Sequence, residues 1–530
     1  MERVNPGTPH PQTTHHAPAG MVCSIDHLAS AAGVAALRAG GSAVDAAVAT
    51  NAVLAVTAPF ACGLGGDLFA LVHEGGTARP TALNSSGRAG SGADAERLRA
   101  EGATTMPFRE DVRSVPVPGC ADGWLAMHER YGRLPLADLF AAAIGYAEDG
   151  FPASPNLAAT AHLIAGRPGA EAFTPPPAPG DRVRRPGVAR ALRAIAADGR
   201  DGFYLGEFGQ GLLRVGDGEY TRADLERSQA EWVTPLRLRT YGHDVWTLPP
   251  NSQGYLLLLS LGIGEGLDLP EDADDPLTAH LMAEAARLAA YDRPALLHEG
   301  ADLSGLLTEE EFARRRASIS PDKRADVTDL VSDGDTTYLC AVDGDGMGVS
   351  VIQSNASGYG SWLFEPSTGI NLHNRGLGFS VAAGHPAEYA PGRRPPHTLV
   401  ATVVTHPDGS LRAVAGSMGG DAQPQIVQQV LTRLLKYGAS PGEAVGAVRW
   451  RAASMNGFDT WDSGDAAAVA GLQVEEAASD LLMEGLAERG HPVARTPDAI
   501  GHAHVIDIGP DGMRAAAADP RAKVSAAAGH

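Results

Sequence analysis

Asp335-Thr336-Thr337-Tyr338-Leu339-Cys340-Ala341-Val342-Asp343 is the stretch on which the reading of this chain turns. From Thr336 the pattern alternates with period two, as in a half-buried strand, and it ends in the turn Asp343-Gly344-Asp345-Gly346. A Thr-Thr pair at a strand start is ordinary β-propensity when taken alone. Its position gives it another meaning. It follows a charged, loop-like approach, residues 300–335, late in the chain. If the chain is cut before Thr336, that threonine carries a free α-amine beside its hydroxyl. A hydroxyl is a weak nucleophile at neutral pH and needs an adjacent base. An α-amine, with a pKa near ~7.7–8.0, is such a base, tethered a few bonds away. Before the cut, the same hydroxyl can attack the Asp335 carbonyl, and hydrolysis of the resulting ester frees the amine. The products are residues 1–335 and 336–530.

Outward from this stretch, Tyr338 to Val342 and Val349 to Gln353 read as paired strands, and Leu399 to Thr405 and Leu411 to Gly416 as a second hairpin around Pro407-Asp408-Gly409. A helix is expected over Pro424 to Tyr437. Toward the N-terminus, Leu28 to Leu37 and Asp45 to Val53 read as helices, the second Ala/Val-rich and buried. Gly63-Leu64-Gly65-Gly66-Asp67 reads as a turn before a strand, Leu68 to Val72. Residues 115–165 read as helical, Thr174 to Pro179 as a surface loop, Leu225 to Leu238 as a helix, Val245 to Tyr255 as a strand, and residues 275–295 as a long amphipathic helix. Strands in the middle with helices on both sides predict sheets packed between helical layers.

The chain has 530 residues, a net charge of −21, 44% apolar and 20% charged residues. That is a globular mix with a sizeable core. No long linker interrupts residues 20–520, so one large fold in two interleaved parts is expected. The acidic balance and scattered Lys and Arg argue against nucleic-acid binding. Cys23, Cys62, Cys120 and Cys340 form no C-x-x-C pair, so neither a zinc site nor a disulfide framework is indicated. No metal or other cofactor is expected: Asp343, Asp345 and Gly346 lack the later ligands of a calcium loop, and His10, His15 and His16 mark a tail. Residues 1–20 lack the apolar core of a signal peptide and are expected to be disordered. The longest apolar run, Tyr255 to Ile263, is too short to span a bilayer. A soluble cytoplasmic protein follows as the expectation.

Several ordered stretches carry a family resemblance: Gly40-Gly41-Ser42-Ala43-Val44-Asp45-Ala46-Ala47, Gly63 to Asp67, Val117-Pro118-Gly119, Pro249-Pro250-Asn251-Ser252-Gln253-Gly254, Thr336-Thr337 and Gly416-Ser417-Met418-Gly419-Gly420. In this order the chain resembles the γ-glutamyltranspeptidase family of N-terminal-nucleophile hydrolases. The resemblance implies an α+β fold, a four-layer αββα sandwich, autocleaved before Thr336. It implies a large subunit, residues 21–335, and a small subunit, residues 336–530, as a heterodimer of the processed pieces. It implies that Ser354 supports the nucleophile and that Gly419 and Gly420 form the oxyanion hole; one such donor is worth roughly 3–4 kcal/mol.

The substrate-binding positions depart from the family pattern. The family's arginine falls near Ser86, with Arg88 two residues on, and its serine pair falls at His397-Thr398. Its acid is replaced by Gly378, its amide by Arg375, and its asparagine by Ala356. An ammonium group loses its carboxylate partner, and a cation arrives instead. Arg88, Arg375 and His397, with Thr398, can then clamp a carboxylate. Phe379-Ser380, Pro395-Pro396-His397-Thr398 and Met418 to Asp421 resemble the γ-glutamyltransferase-like branch, which includes oxamate amidohydrolases. The expectation is an autoprocessed hydrolase that removes a small acidic acyl group from an amide. The alternatives are a γ-glutamyltransferase or glutathione hydrolase, a C–C hydrolase that removes an oxalyl group in a secondary-metabolite pathway, and an uncleaved small-acid binder.

Overall fold

A computed structural model describes residues 10–326, 335–453 and 471–530. Two seven-stranded sheets form its centre. The first is ordered Ala526–Gly529, Met21–Ser24, Asp335–Val342, Gly348–Ala356, Asp67–His73, Thr81–Ser85, Glu231–Val233. The second is ordered His15–Ala17, Arg514–Ala518, His502–Ile508, Leu411–Met418, Ala401–Thr405, His243–Thr247, Leu236–Thr240. Period-two side-chain placement sends each strand's two faces into different cores. Tyr338, Cys340 and Val342 join Met21, Phe69, Ile352, Val403 and Val414 between the sheets. Leu339, Ala341, Val349 and Val351 face the outer helices His27–Arg38, Ala43–Thr57, Cys120–Tyr131 and Leu136–Asp149. On the far side Gly254–Glu265 and Gln423–Leu435 cover the second sheet. The layers are helix, sheet, sheet, helix.

The helix Ala43–Thr57 is buried at every residue. Ser42 and Asp45 form a reciprocal capping box at its start. Its C-terminal carbonyls, Ala55 and Val56, accept from Arg185 Nη1 at 2.9 and 3.2 Å, which satisfies groups that a buried helix end otherwise leaves orphaned. The Asp343 turn locks onto the same helix. Its Oδ1 accepts from the Asp345 and Met347 amides, and its Oδ2 from Ala43 N–H, all at 3.0 Å. These contacts account for the acid in this turn.

Four expectations are corrected. Leu225 to Leu238 is not one helix: Arg222–Glu226 ends early, and Glu231–Val233 and Leu236–Thr240 are strands, with Trp232, Val233 and Leu236 partly buried against cores that local periodicity does not reveal. In the next stretch His243–Thr247 is a strand, but Tyr255 lies in the helix Gly254–Glu265, which is apolar all round because it is enclosed. The N-terminal tail is ordered from residue 10: His15–Ala17 pairs with Arg514–Ala516, using main-chain groups that composition does not disclose. Within the charged approach, Glu309–Arg316 is a helix, and residues 327–334 lie outside the described set.

Candidate functional site

Asp335–Val342 pairs antiparallel with Gly348–Ala356, and Gly348–Ala356 with Asp67–His73. This register brings one end of each strand together. Ser354 is the partner of Asp67, and the register shifts between Asp335 and Thr337. Thr336 is 1% exposed, and its Oγ1 lies 3.0 Å from Ser354 Oγ. Ser354 Oγ also accepts from Arg375 Nη2 at 3.1 Å and from Ala356 N–H at 2.8 Å. Ala356 holds φ +75°, a left-handed conformation that Asn or Gly tolerates better than Ala.

Arg375 opens a short 3₁₀ turn, Arg375–Gly378, and is buried. Its Nε donates to Asp67 Oδ2 at 2.9 Å and its Nη1 to Thr398 Oγ1 at 3.0 Å. Asp67 receives further contacts from His397 Nε2 at 3.0 Å and His373 Nδ1 at 3.6 Å. The His397 contact is close but not aligned as a hydrogen bond. Burial alone pushes the Asp67 carboxyl up, yet the Arg375 guanidinium and the adjacent rings hold it well below the usual carboxylate range. Burial, then Arg375, pushes His397 down to about 3 against the pull of Asp67. At neutral pH His397 is therefore an uncharged ring between a carboxylate and the Phe69 edge.

Gly419 and Gly420 follow the strand Leu411–Met418 and precede the helix Gln423–Leu435. Both take positive φ, +141° and +54°, as a turn built on glycine requires. A Cβ on Gly419 would stand 2.6 Å from Ile426 Cδ1. Gln253 Nε2 ties this turn to the rest of the cluster, donating to Gly420 O at 3.1 Å and to Thr398 O at 2.6 Å. One continuous chain of contacts thus runs Gly420, Gln253, Thr398, Arg375, Ser354, Thr336.

Arg88 stands apart from this chain. Its Nη1 donates to Glu299 at 2.8 Å and to Gly392 O at 3.0 Å, and its Nη2 to Glu231 at 3.1 Å. Its charge is matched by two acids, so the expectation of a substrate clamp at Arg88 is not what the geometry provides. The cation beside Ser86 is instead Arg394, buried, with Nη1 3.2 Å from Ser86 Oγ. Sequence reasoning passed over Arg394, and it also left Asp67, Gln253 and His373 without roles. Asp67 and Gln253 lie inside the Gly63-to-Asp67 and Pro249-to-Gly254 stretches, and that was the available signal.

Gly378 occupies the family's acid position, and its surroundings explain the glycine. A Cβ there would stand 2.4 Å from Pro396 O, a backbone atom that cannot swing aside. For metals, the one candidate group among the described residues is His280, Glu284 and His491, all buried and remote in sequence from Thr336. Glu284 is already paired with Arg287, and burial, then His280 and the Arg287, Arg324 and Arg489 guanidiniums, push His491 down to about 3. That positive field disfavours a cation. The cluster instead holds residues 320–325 of the chain: His280 Nε2 lies 2.7 Å from Ser320 O, and Ala325 N–H donates to Glu284 Oε2 at 2.6 Å. Two cavities of about 380 and 390 Å³ are lined by other residues and do not include Thr336. No helix among the described residues is long and apolar enough to cross a membrane.

Residues 29–529 match the family model described as gamma-glutamyltranspeptidase. The chain is 36% identical to the oxamate amidohydrolase proenzyme of Klebsiella pneumoniae, over 96% of this chain and 98% of that protein. It is 34% identical to a glutathione hydrolase-like proenzyme of Bacillus subtilis, over 94% and 97%. Among solved structures, a cephalosporin acylase from Bacillus halodurans superposes with a TM-score of 0.90 at 33% identity, covering 100% of this chain and 99% of that one.

Proposed function

The chain belongs to the γ-glutamyltranspeptidase family of autoprocessed amide hydrolases, and on that premise we propose that it removes a small acidic acyl group from an amide through an ester on Thr336. The chain cuts itself before Thr336. The new α-amine then takes the Thr336 hydroxyl proton as Oγ1 attacks the substrate carbonyl. The amides of the Gly419-Gly420 turn receive the oxyanion. The amine passes its proton to the leaving nitrogen, and water, activated the same way, hydrolyses the ester. The two pieces stay interleaved after the cut, because Met21–Ser24 pairs with the strand that begins at the junction.

The acidic preference rests on one observation above all. At Gly378 there is no room for the acid that would meet a substrate ammonium, because Pro396 O already fills the Cβ position. Across the same cluster stands Arg375, a buried cation joined to the nucleophile through Ser354, with Thr398 beside it. The similarity to an oxamate amidohydrolase agrees with this charge pattern.

Intact mass spectrometry of the purified protein, followed by turnover assays with oxamate, oxalyl compounds and a γ-glutamyl anilide, tests the reading. Two fragments, residues 1–335 and 336–530, and turnover of oxamate are expected, and Thr336→Ala is expected to remain one full-length, inactive chain. Two fragments from that variant, or a preference for the γ-glutamyl anilide, would overturn the proposal. Turnover confined to carbon–carbon oxalyl compounds would replace the amide with a C–C bond.

A further inference from the structure

The two amides that receive the oxyanion lie in a Gly-Gly turn, and glycine supplies no side chain to hold them. Gly419 and Gly420 stand at φ +141° and +54°, and a backbone free to reach such values also leaves them at little cost. Rotation of a peptide unit about its Cα–Cα axis would turn its N–H out of the site. In a planar trans unit the N–H points opposite to the C=O, so whatever holds a carbonyl aims the amide of the following residue. Gly419 N–H shares a unit with Met418 O, which accepts from Ser417 Oγ at 2.6 Å. Gly420 N–H shares a unit with Gly419 O, which accepts from Ala422 N–H at 3.0 Å across the 3₁₀ turn Gly420–Ala422. The next carbonyl of that turn, Gly420 O, accepts from Gln423 N–H and, from outside the turn, from Gln253 Nε2 at 3.1 Å. Gln253 Nε2 gives its other hydrogen to Thr398 O at 2.6 Å. Both partners are carbonyl oxygens, so Gln253 faces them with its NH2. Ser417 and Gln253 are each 0% exposed, so water does not stand in for either donor.

We infer that Ser417 and Gln253 are positioning residues, each keeping one amide of the oxyanion turn in aim: Ser417 that of Gly419, and Gln253 that of Gly420 through the 3₁₀ turn. This rests on the function proposed above. When Thr336 Oγ1 bonds to the substrate carbonyl carbon, the π pair moves onto the carbonyl oxygen. The two N–H groups meet that charge by hydrogen bonds and transfer no proton. Collapse returns the pair to the carbonyl as the C–N bond breaks. The charge exists only between these two steps, so a misaimed donor slows the chemistry and leaves ground-state binding as it was. Ser417 acts within its own strand, Leu411–Met418. Gln253 acts from the start of the helix Gly254–Glu265, 167 positions away from Gly420. The two holds fall on different peptide units, so loss of one leaves the other in place.

The test is steady-state turnover of oxamate by Ser417→Ala, Gln253→Met and the double variant, per cleaved chain counted by intact mass. Each single variant is expected to lower kcat about tenfold, a fraction of what a deleted oxyanion donor costs. The double variant is expected to lose about 100-fold, because the two residues act on separate donors. KM, and inhibition by the trigonal product oxalate, are expected to stay within about threefold of wild type. A purely structural role would lower the melting temperature and leave kcat per folded chain unchanged, and that result overturns the inference. So does an effect confined to KM, which would place Gln253 on substrate binding through Thr398. A double variant no slower than the slower single one would mean a single shared hold, and overturns it as well. If Gln253→Met does not fold, Gln253→Glu, which keeps the shape and loses the N–H donors, takes its place. Wild type that turns over only the γ-glutamyl anilide or a carbon–carbon oxalyl compound refutes the acyl group or the bond proposed above, and the same ratios are then read on that substrate. Wild type inactive on all of them refutes the proposed function, and the inference falls with it.

Discussion

Acid should unfold this protein through histidines that its core keeps neutral, and His397 makes the case quantitatively. Burial and Arg375 push it down to about 3 in the folded chain, whereas an unfolded histidine titrates near ~6.5. The groups facing it are Asp67, Arg375 and His373, on two other parts of the chain. Because the folded pKa lies below the unfolded one, the unfolded chain binds the extra proton between these values. Stability is therefore intact above about pH 6.5 and falls as the pH drops toward about 3. The gap of roughly 3.5 units, at ~1.36 kcal/mol each, amounts to about 5 kcal/mol by the acid end. His504 is likewise pushed down to about 3 by burial, and adds a second contribution of the same sign. Asp122 and Asp507, whose carboxyls are raised, act in the opposite direction. The assay is urea unfolding of the uncleaved Thr336→Ala chain at steps between pH 7 and pH 4. His397→Gln should reduce the acid-side slope of stability against pH by about 1.4 kcal/mol per pH unit. An unchanged slope in that variant would refute a neutral, buried His397.

Two further predictions concern the backbone around the site and its support. Ala356 sits at φ +75°, so Ala356→Gly should stabilise the chain by about 1 kcal/mol without loss of the N–H donated to Ser354, read as a raised melting temperature with activity retained. Asp343→Ala removes the acceptor of three amides, one at the start of a buried helix, and should cost about 2–4 kcal/mol in unfolding free energy, with stability unchanged as the contrary result.

The site was legible in the sequence to different depths. Thr336 drew notice by its place at a strand start after a charged approach, whereas the roles expected of Ser354, Gly419 and Gly420 came from the resemblance to the γ-glutamyltranspeptidase family. The structure joins them in one cluster, with Thr336 and Ser354 in contact and the glycine turn tied in through Gln253 and Thr398. The carboxylate clamp was read less well. From sequence, Arg375 and His397, with Thr398, were the stronger candidates and Arg88 the weaker one. In the fold Arg88 is neutralised by Glu231 and Glu299, His397 is uncharged, and Arg375 is oriented by an aspartate 308 positions away.

By itself the sequence determined the periodicities, and with them the strands at Thr336, the second hairpin and the enclosed Ala/Val helix, because alternation and helical spacing are local properties of side chains. Through the ordered stretches that it shares with the γ-glutamyltranspeptidase family it also identified the family, since such stretches are matters of residue type and order. Only the tertiary structure decided where charge resides. Whether an arginine is free, paired or buried depends on residues hundreds of positions distant that burial brings within 3 Å, and so does whether a histidine is charged. Such neighbours leave no trace in the local pattern, because they are set by strand register and by the closure of one sheet upon the other.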